Sequence, residues 1–301
     1  MTQPTRVPER TGALPTLALI GVTAAWGSTF FMIKDVLEEM SVVDFLAVRF
    51  AIAAVFLFAV APGHVRRLTR EEWRHGAVLG LVYGVAQILQ TAGLERTPAT
   101  VSGFVTGMYV VLTPLLAAVV FRERIPRTVW IAVLLATVGL AFLSLEGFAL
   151  SEGVVLIFCS AILYALHILG LGRWSKSSNA VGLAAVQMAV IAVVCTLVGA
   201  PNGIELPHSG YAWSALLYMA IVAAALSMLL QTWAQAHLAP TRAAIIMTME
   251  PVFAAFFAVL FGGESLTARM VVGGAFVLGA MYLVELAPRR KVEAEVTHLT
   301  V

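Results

Sequence analysis

Residues 231–264 read QTWAQAHLAPTRAAIIMTMEPVFAAFFAVLFGGE. Their middle, from Ala243 to Gly262, is an apolar run of about 20 residues, enough to cross a hydrocarbon core about 30 Å thick. Glu250 is the one carboxylate inside this run, and Pro251 follows it directly. A carboxylate at bilayer depth costs roughly 3 kcal/mol or more unless it faces a partner or a wet cavity, and the proline leaves a backbone carbonyl without its helical donor. The stretch therefore predicts a membrane span that is enclosed by protein around Glu250.

A similar stretch occurs 141 residues earlier, where residues 90–123 read QTAGLERTPATVSGFVTGMYVVLTPLLAAVVFRE. Three pairs match without a gap: Gln90 with Gln231, Met108 with Met249, and Glu123 with Glu264. Matches among apolar residues arise easily by chance, so the inference depends on the polar matches at the two ends. The chain is predicted to contain two copies of one unit.

The composition excludes a soluble globular protein. Of the 301 residues, 60% are hydrophobic and 12% are charged, whereas soluble globular proteins carry about 25% charged residues. The mean hydropathy of +0.92 indicates that lipid surrounds most of the chain. Cys159 and Cys195 both lie in apolar runs and are interpreted as packing residues rather than as a disulfide or a zinc site.

Apolar runs of roughly 17–23 residues, separated by charged residues, proline or glycine, follow one another along the chain. The ten runs are Leu14–Ile33, Val43–Val60, Gly76–Gly93, Ala99–Phe121, Thr128–Leu145, Gly153–Gly172, Ala180–Ala200, Tyr211–Trp233, Ala243–Gly262 and Met270–Leu286. They predict an all-α membrane protein with ten transmembrane helices. Residues 14–145 form the first copy and residues 150–287 the second copy, with five helices each, and residues 1–13 and 288–301 are tails.

The distribution of basic residues predicts the orientation in the membrane. With the N-terminus in the cytoplasm, fifteen of the 19 lysines and arginines fall on the cytoplasmic side, as the positive-inside rule requires. Both termini are then cytoplasmic, in a multi-pass protein of the cytoplasmic (inner) membrane. Because each copy has five spans, the second copy is inverted, and the two repeats are expected to surround a central cavity. Inverted repeats are typical of secondary transporters; a duplication that only enlarges a helix bundle is the alternative.

Trp26 lies too deep for an ordinary membrane tryptophan. Tryptophan is enriched at the membrane interface, but Trp26 is about the thirteenth residue of the first span, within a few ångströms of the midplane at 1.5 Å per residue. Other polar and aromatic residues lie at similar depth: Ser28, Thr29, Arg49, Tyr83, Gln87, Thr106, Tyr109, Tyr164, His167, Gln187 and Glu250. Packing or one hydrogen bond explains each of them singly, but together they predict a substrate cavity. Pro114 and Pro251 are the predicted helix breaks.

Arg49 and Glu250 are the strongly charged residues that lie well inside predicted spans. By the rise per residue, Arg49 lies about 5 Å to the outer side of the midplane and Glu250 about 4 Å to the inner side. The two side chains either pair with each other or both contact a substrate that carries both charges. Glu250 has three candidate roles, in structure, in substrate binding and as the carrier of a coupling proton, because burial disfavours the charged form of a carboxylic acid.

Small residues predict where helices approach closely. Gly80 and Gly84 in the third span are four residues apart, as are Gly103 and Gly107 in the fourth, and this spacing allows close backbone contact between membrane helices. Small residues in the fifth and tenth spans predict tight packing there too. They are Ala132, Ala136, Gly139, Gly273, Gly274 and Gly279.

Four strings resemble the EamA domains of the drug/metabolite transporter superfamily: WGSTF at 26–30, FLAVRFAIAA at 45–54, MYVVLTPLLAAVVFRERIP at 108–126 and MTMEPVFAAFFAVLFGGESL at 247–266. The resemblance covers about residues 14–287 as two EamA units. It implies a ten-helix transporter of inverted five-helix repeats around a central cavity, and known relatives mostly export amino acids or other small metabolites. In the first copy Tyr109 stands opposite Glu250, so a role of Glu250 does not transfer to its counterpart.

The function predicted from these features is secondary active transport, most simply the export of amino acids or similar small metabolites by alternating access. An importer or a passive facilitator of a small metabolite is the alternative, and an intramembrane enzyme is a more distant one. The sequence lacks the P-loop of an ATP-driven pump and the His-Glu-x-x-His and Gly-x-Ser-x-Gly motifs of metal-dependent and serine hydrolases. We expect a small-molecule substrate and the lipid bilayer as partners, with proton coupling left open, and no enzyme activity, cofactor, metal or nucleic acid.

Overall fold

The computed structural model describes residues 13–121, 127–146, 149–174, 179–199, 203–235 and 246–286. The predicted tails lie outside the described residues apart from Ala13, and so does the charged loop residue Glu123. In chain order the helices are α1 (Ala13–Leu37), α2 (Val42–Val60), α3 (Pro62–Arg66), α4 (Arg70–Glu95), α5 (Ala99–Gly107), α6 (Tyr109–Phe121), α7 (Arg127–Ser144), α8 (Glu152–Trp174), α9 (Ala180–Gly199), α10 (Gly210–Tyr218), α11 (Ser227–Gln235), α12 (Glu250–Leu260) and α13 (Ala268–Leu286).

Three short elements among the described residues are not α-helical. A π-helix, π1 (Met219–Leu226), joins α10 to α11. The two-residue strands β1 (Leu145–Glu146) and β2 (Ala149–Leu150) form an antiparallel pair between α7 and α8. The fold is therefore helical apart from this one pair of short strands among the described residues.

In the part of the chain that the structure describes, seven helical segments are long and apolar enough to cross a membrane: Ala13–Leu37, Val42–Val60, Arg70–Glu95, Ala99–Val119, Glu152–Leu171, Ala180–Gly199 and Gly210–Gln231. Three further apolar helices are shorter, at Arg127–Leu143, Glu250–Leu260 and Ala268–Leu283. The helix at the predicted span Ala243–Gly262 is short because it begins at Glu250, directly after a turn at Thr248 and Met249. The prediction of a helical protein with membrane-spanning helices is therefore confirmed, apart from the β1–β2 pair.

Two helical paths are interrupted at matching positions. Met108 lies in a turn between the end of α5 at Gly107 and the start of α6 at Tyr109. In the second copy, Thr248 and Met249 form a turn directly before α12, and Met249 is the residue that aligns with Met108. In both copies the helix is therefore interrupted at the aligned methionine.

The two predicted helix-breaking prolines differ in position. Pro251 occupies the first turn of α12, where the missing N–H has no intrahelical partner to lose. Pro114 lies inside α6, and the helix continues through it. Neighbouring groups can satisfy the single carbonyl that a proline frees inside a membrane helix. The interruption in this span is therefore at Met108 and not at Pro114.

Glycines bring several helices into close contact, as predicted. A Cβ added to Gly80 of α4 would lie 2.9 Å from the Cα of Gln187 in α9. A Cβ on Gly139 of α7 would lie 2.7 Å from the carbonyl oxygen of Gly273 in α13. Both distances are too short for a real Cβ, so a larger residue at either position would force the helices apart. Gly279, in contrast, faces open space.

The most extensive helix contacts join the first copy to the second. Helix α4 packs on α8 and α9, α2 on α9, α7 on α13, and α1 on α12 and α11. Helix α5 packs on α12, where a Cβ on Gly103 would lie 2.5 Å from the Cβ of Ala254. The two copies therefore share one interleaved bundle, and the space between their helices belongs to both.

Candidate functional site

A cavity lies between the helices of both copies. Its volume is about 120 Å³, roughly ten times the 10–15 Å³ that one water occupies on the same measure. Residues of α1, α2, α4, α5, α6, α8, π1, α11 and α12 line it. Such a space is wide enough for a small polar molecule or for several waters.

Of the twelve mid-depth residues that predicted a cavity, ten line it: Trp26, Thr29, Arg49, Tyr83, Gln87, Thr106, Tyr109, Tyr164, His167 and Glu250. Gln187 and Ser28 do not line the cavity. The Ser28 hydroxyl donates to the carbonyl of Ala25 at 2.8 Å and pairs with the Tyr218 hydroxyl at 2.9 Å. It therefore joins α1 to the end of α10.

Arg49 is buried on α2, with 6% of its surface exposed. Its guanidinium carbon lies 5.2 Å from the centroid of the Phe50 ring and 5.7 Å from that of Phe45, within the range of cation–π attraction. Its Nε has no hydrogen-bond partner in the part of the chain that the structure describes. The arginine therefore faces the cavity with its charge uncompensated by a carboxylate among these residues.

Glu250 is the first residue of α12 and is also buried, with 8% of its surface exposed. The Tyr109 hydroxyl donates to its Oε2 over 3.3 Å. No ion pair joins Glu250 to Arg49 within 4.0 Å, although both line the same cavity. The direct pair, one of the two arrangements that the sequence left open, is therefore not formed in this structure.

A hydrogen-bonded network crosses the cavity wall at Gln90 of α4. The Tyr164 hydroxyl of α8 donates to Gln90 Oε1 at 2.8 Å, and Gln90 Nε2 donates to Thr106 Oγ1 of α5 at 3.0 Å. One turn earlier on α4, Gln87 Nε2 donates to the Tyr83 hydroxyl at 3.1 Å. These bonds fix the direction of the polar side chains on the first-copy wall.

Trp26 is positioned by a carbonyl of the π-helix. Its indole Nε1 donates to the carbonyl oxygen of Ala223 at 2.8 Å. A π-helix shifts the backbone hydrogen-bond pattern and occurs often at functional sites. The indole of Trp26 thus has a satisfied donor while its ring lines the cavity.

His167 is held from outside the cavity by Gln187 of α9. The His167 Nε2 lies 2.6 Å from Gln187 Oε1, and Gln187 Nε2 donates to the Leu183 carbonyl at 3.1 Å. Because an amide oxygen only accepts hydrogen bonds, the imidazole carries a proton on Nε2. The Tyr83 ring lies 4.9 Å from the imidazole, centroid to centroid.

The sequence prediction missed several lining residues, among them Phe30, Gln90, Met228, Gln231 and Met247. A signal for Gln90 and Gln231 was present, because they are a matched pair of the two copies. Six pairs of lining residues lie 141 positions apart: Trp26 and His167, Phe30 and Leu171, Gln87 and Met228, Gln90 and Gln231, Thr106 and Met247, Tyr109 and Glu250. Extending the repeat alignment from the predicted residues Gln87 and Thr106 would have found Met228 and Met247.

The described residues contain no group of three or more His, Cys, Asp or Glu side chains placed to hold a metal ion. The polar groups of the cavity are instead one guanidinium, one carboxylate, an imidazole, amides and hydroxyls. This set can hold a small molecule through hydrogen bonds and charge.

Comparison with known proteins places the chain in a family. The model of the EamA-like transporter family matches residues 14–145 and again residues 151–286. A transporter of Archaeoglobus fulgidus is 31% identical over 271 residues, which cover 90% of this chain and 85% of that protein. The threonine/homoserine exporter RhtA of Salmonella typhimurium is 26% identical over 286 residues, 92% of this chain and 93% of that exporter.

A solved crystal structure of a protein superposes on 89% of this chain and 95% of its own with a TM-score of 0.64. The two sequences are 16% identical, so this likeness shows a common fold alone. The resemblance drawn from the four sequence strings is confirmed by the family match, and the apolar helices are those of a multi-pass membrane protein. The chain belongs to the EamA-like transporter family.

Proposed function

We propose that this protein is a secondary active transporter that exports amino acids or similar small metabolites across the cytoplasmic membrane by alternating access. The observation that carries the proposal is the cavity, which Arg49 and Glu250 both face without pairing with each other. A charged side chain at this depth costs roughly 3 kcal/mol or more. Two opposite charges that remain apart in one cavity are therefore better explained by a polar ligand between them than by packing.

We also propose that the fold is two inverted repeats of five membrane helices. Seven long and three shorter apolar helices support ten spans, and the interruptions at Met108 and Met249 occupy aligned positions. Tyr109 and Glu250 are aligned as well, and they are hydrogen-bonded to each other. Equivalent residues can meet only near the axis that relates two copies, so this contact supports a pseudo-two-fold axis through the cavity.

The relatives support the substrate class. RhtA is named for the export of threonine and homoserine, and both are small zwitterions with a polar side chain. The cavity offers a guanidinium at Arg49, a carboxyl group at Glu250, and amide and hydroxyl groups in its wall. These groups complement an amino acid more closely than an apolar drug.

Purified protein in liposomes tests the proposal. Vesicles loaded with unlabelled L-threonine should accumulate external labelled L-threonine by exchange, and the threonine recovered should be chemically unchanged. Absence of exchange for every standard amino acid would contradict the proposal. A covalent product would indicate an intramembrane enzyme, and flux that an imposed ion gradient never drives uphill would indicate a passive facilitator.

A further inference from the structure

Arg49 lacks the partners that a buried arginine normally has. It is 6% exposed, its Nε is buried without a hydrogen-bond acceptor, and no carboxylate lies within 4.0 Å among the described residues. A guanidinium has five N–H donors, and a buried charge without a partner is strongly unfavourable. The side chain also lines the cavity. An acceptor that enters the cavity is therefore the partner that the site lacks.

The guanidinium is held in place before any ligand arrives. The rings of Phe45 and Phe50 lie 5.7 and 5.2 Å from its central carbon. Phe50 is in turn in edge contact with Tyr83, at 6.3 Å between ring centroids. Contact with aromatic rings restricts the rotamers of the arginine, so little conformational entropy remains to be lost on binding.

The cavity side chains that could pair with Arg49 inside the protein already form other hydrogen bonds. Glu250 accepts a hydrogen bond from Tyr109, and the Tyr164 hydroxyl donates to Gln90. Glu250 remains separate from Arg49 in this conformation. Arg49 is therefore available to a ligand.

We propose that Arg49 binds the carboxylate of the transported molecule and selects carboxylates over amines, sugars and neutral compounds. This inference rests on the proposed transport function and assigns a chemical group of the substrate to one residue. A planar guanidinium matches a carboxylate through two parallel N–H···O bonds. The same geometry cannot form with a primary amide, which presents one acceptor and two donors.

A thermal-shift titration of the purified full chain tests the assignment, because a ligand that binds the native state raises the apparent stability according to its affinity. The probes are L-threonine and L-phenylalanine, each compared with its amide, together with 3-hydroxybutyrate, which keeps the carboxylate and lacks the ammonium group. The unaltered protein should bind each amino acid about 10- to 100-fold more tightly than its amide. It should also bind 3-hydroxybutyrate more tightly than threoninamide.

Three variants complete the test. R49Q should weaken amino-acid binding about 10- to 100-fold, so that the variant binds an amino acid and its amide with nearly equal affinity. R49K should keep part of the preference, because it retains the charge without the planar fork. R96Q is the matched control: Arg96 pairs with Glu152 outside this cavity, and its removal should leave the preference unchanged.

Two outcomes separate this inference from the transport proposal. If amino acids bind but their amides bind equally well, or if R49Q keeps the preference, the role of Arg49 is wrong and the transport proposal stands. If no standard amino acid binds, the proposed substrate class fails and the inference fails with it. The ligand series on the unaltered protein distinguishes these outcomes even if R49Q does not fold.

Discussion

The two copies supply different chemistry to one cavity. At two aligned pairs of lining positions, the first copy has the polar residues Gln87 and Thr106 and the second copy has Met228 and Met247. The contacts are also aligned, since Gln90 donates to Thr106 at 3.0 Å and its counterpart Gln231 approaches the sulfur of Met247 at 3.8 Å. The two segments that match the family model thus place aligned side chains in one cavity wall with different chemistry.

The largest difference is between Tyr109 and Glu250. The two residues are aligned, they touch, and one is a neutral phenol while the other is a carboxylate. A site with true two-fold symmetry would present the same groups twice and would suit a symmetric ligand. An amino acid has different ends, so we interpret the divergence of this pair as the means by which a duplicated fold binds an asymmetric molecule.

Single substitutions of Glu250 and Tyr109 should give the largest difference in transport rate between two aligned residues. We expect Glu250→Gln to reduce transport at least about tenfold, because hydrogen bonds to a charged group contribute about 1.5–3 kcal/mol. Tyr109→Phe should reduce it roughly threefold, since its bond to Glu250 is long at 3.3 Å. Initial rates of amino-acid uptake into proteoliposomes measure both, and equal losses would remove the functional contrast between the two copies.

The same Glu250→Gln variant distinguishes the candidate roles of the carboxylate. If Glu250 carries a coupling proton, exchange of substrate should survive and uphill transport driven by a pH gradient should disappear. If Glu250 binds the substrate, exchange should be lost as well. Uphill transport at the level of the unaltered protein would exclude both roles.

Tryptophans at two depths offer the next contrast. Trp26 lines the cavity and donates to Ala223, whereas Trp130 on α7 is 57% exposed. Trp26→Ala should lower transport about tenfold or more, because a half-buried indole in the cavity wall contributes a large share of contact energy. Trp130→Ala should remain within about twofold of the unaltered protein. Equal effects in the proteoliposome assay, at equal membrane insertion, would show that Trp26 is ordinary packing.

Gln90 and Gln231 test the aligned contacts directly. Gln90→Ala leaves the hydroxyls of Tyr164 and Thr106 without their partner, so we expect a loss of stability of about 1–3 kcal/mol. Gln231→Ala removes one weak contact with the sulfur of Met247 and should cost about 0.5 kcal/mol or less. Thermal unfolding in detergent compares the two. A reversed order would mean that the hydrogen bonds of the first-copy wall do not stabilise the bundle.

The smallest expected effect concerns two acidic residues that join the copies at helix starts. Glu264 of the second copy accepts from the backbone N–H groups of Ala99 and Thr100 at the start of α5. Glu39 of the first copy accepts from the backbone N–H of His208 at 2.7 Å and of Ser209 at 2.9 Å, just before α10.

The Glu39 contact should stabilise the folded protein at neutral pH and lose this effect in acid. Hydrogen bonding to Ser209, first through its side chain and then through the backbone, lowers the pKa of the Glu39 carboxyl. A carboxyl whose pKa is lowered in the folded state stabilises the protein at pH values above its unfolded pKa, about 4.3 for glutamate, and this stabilisation is lost as the pH falls through the lower folded-state pKa. Glu39→Gln should therefore lower the Tm slightly at pH 7, and the difference should shrink as the pH falls through that folded-state pKa. A difference that is as large in strong acid as at pH 7 would contradict this expectation.

Much of this architecture was predictable from sequence because membrane helices can be recognised by their length and apolarity. Glu250 and Arg49 could be singled out because charge at that depth requires a reason, and the cavity contains both. The tight contact at Gly80 followed from the spacing of small residues. In each case a local property of the sequence, such as length, charge at depth or residue spacing, was enough for the prediction.

Other features depend on contacts that the chain order does not reveal. Pro114 resembles a helix break, yet the interruption is at Met108, since the surrounding bundle decides where a backbone bond is given up. The π-helix that receives the Trp26 indole lies in the ordinary apolar sequence MAIVAAAL. Ser28 lies on α1 beside two lining residues but turns towards Tyr218. Side-chain direction and backbone register are tertiary properties, and hydrophobicity alone does not encode them.

We propose that the two copies cross the membrane in opposite orientations and build one cavity between them. Single cysteines, introduced in a background without Cys159 and Cys195, test it in intact cells with a membrane-impermeant thiol reagent. Cysteines at Glu38, Glu205 and Ser265 should be labelled from outside, and cysteines at Arg124 and Arg289, two positions outside the described residues, should be protected until the membrane is opened. Labelling at Arg124 from outside would contradict the inverted arrangement.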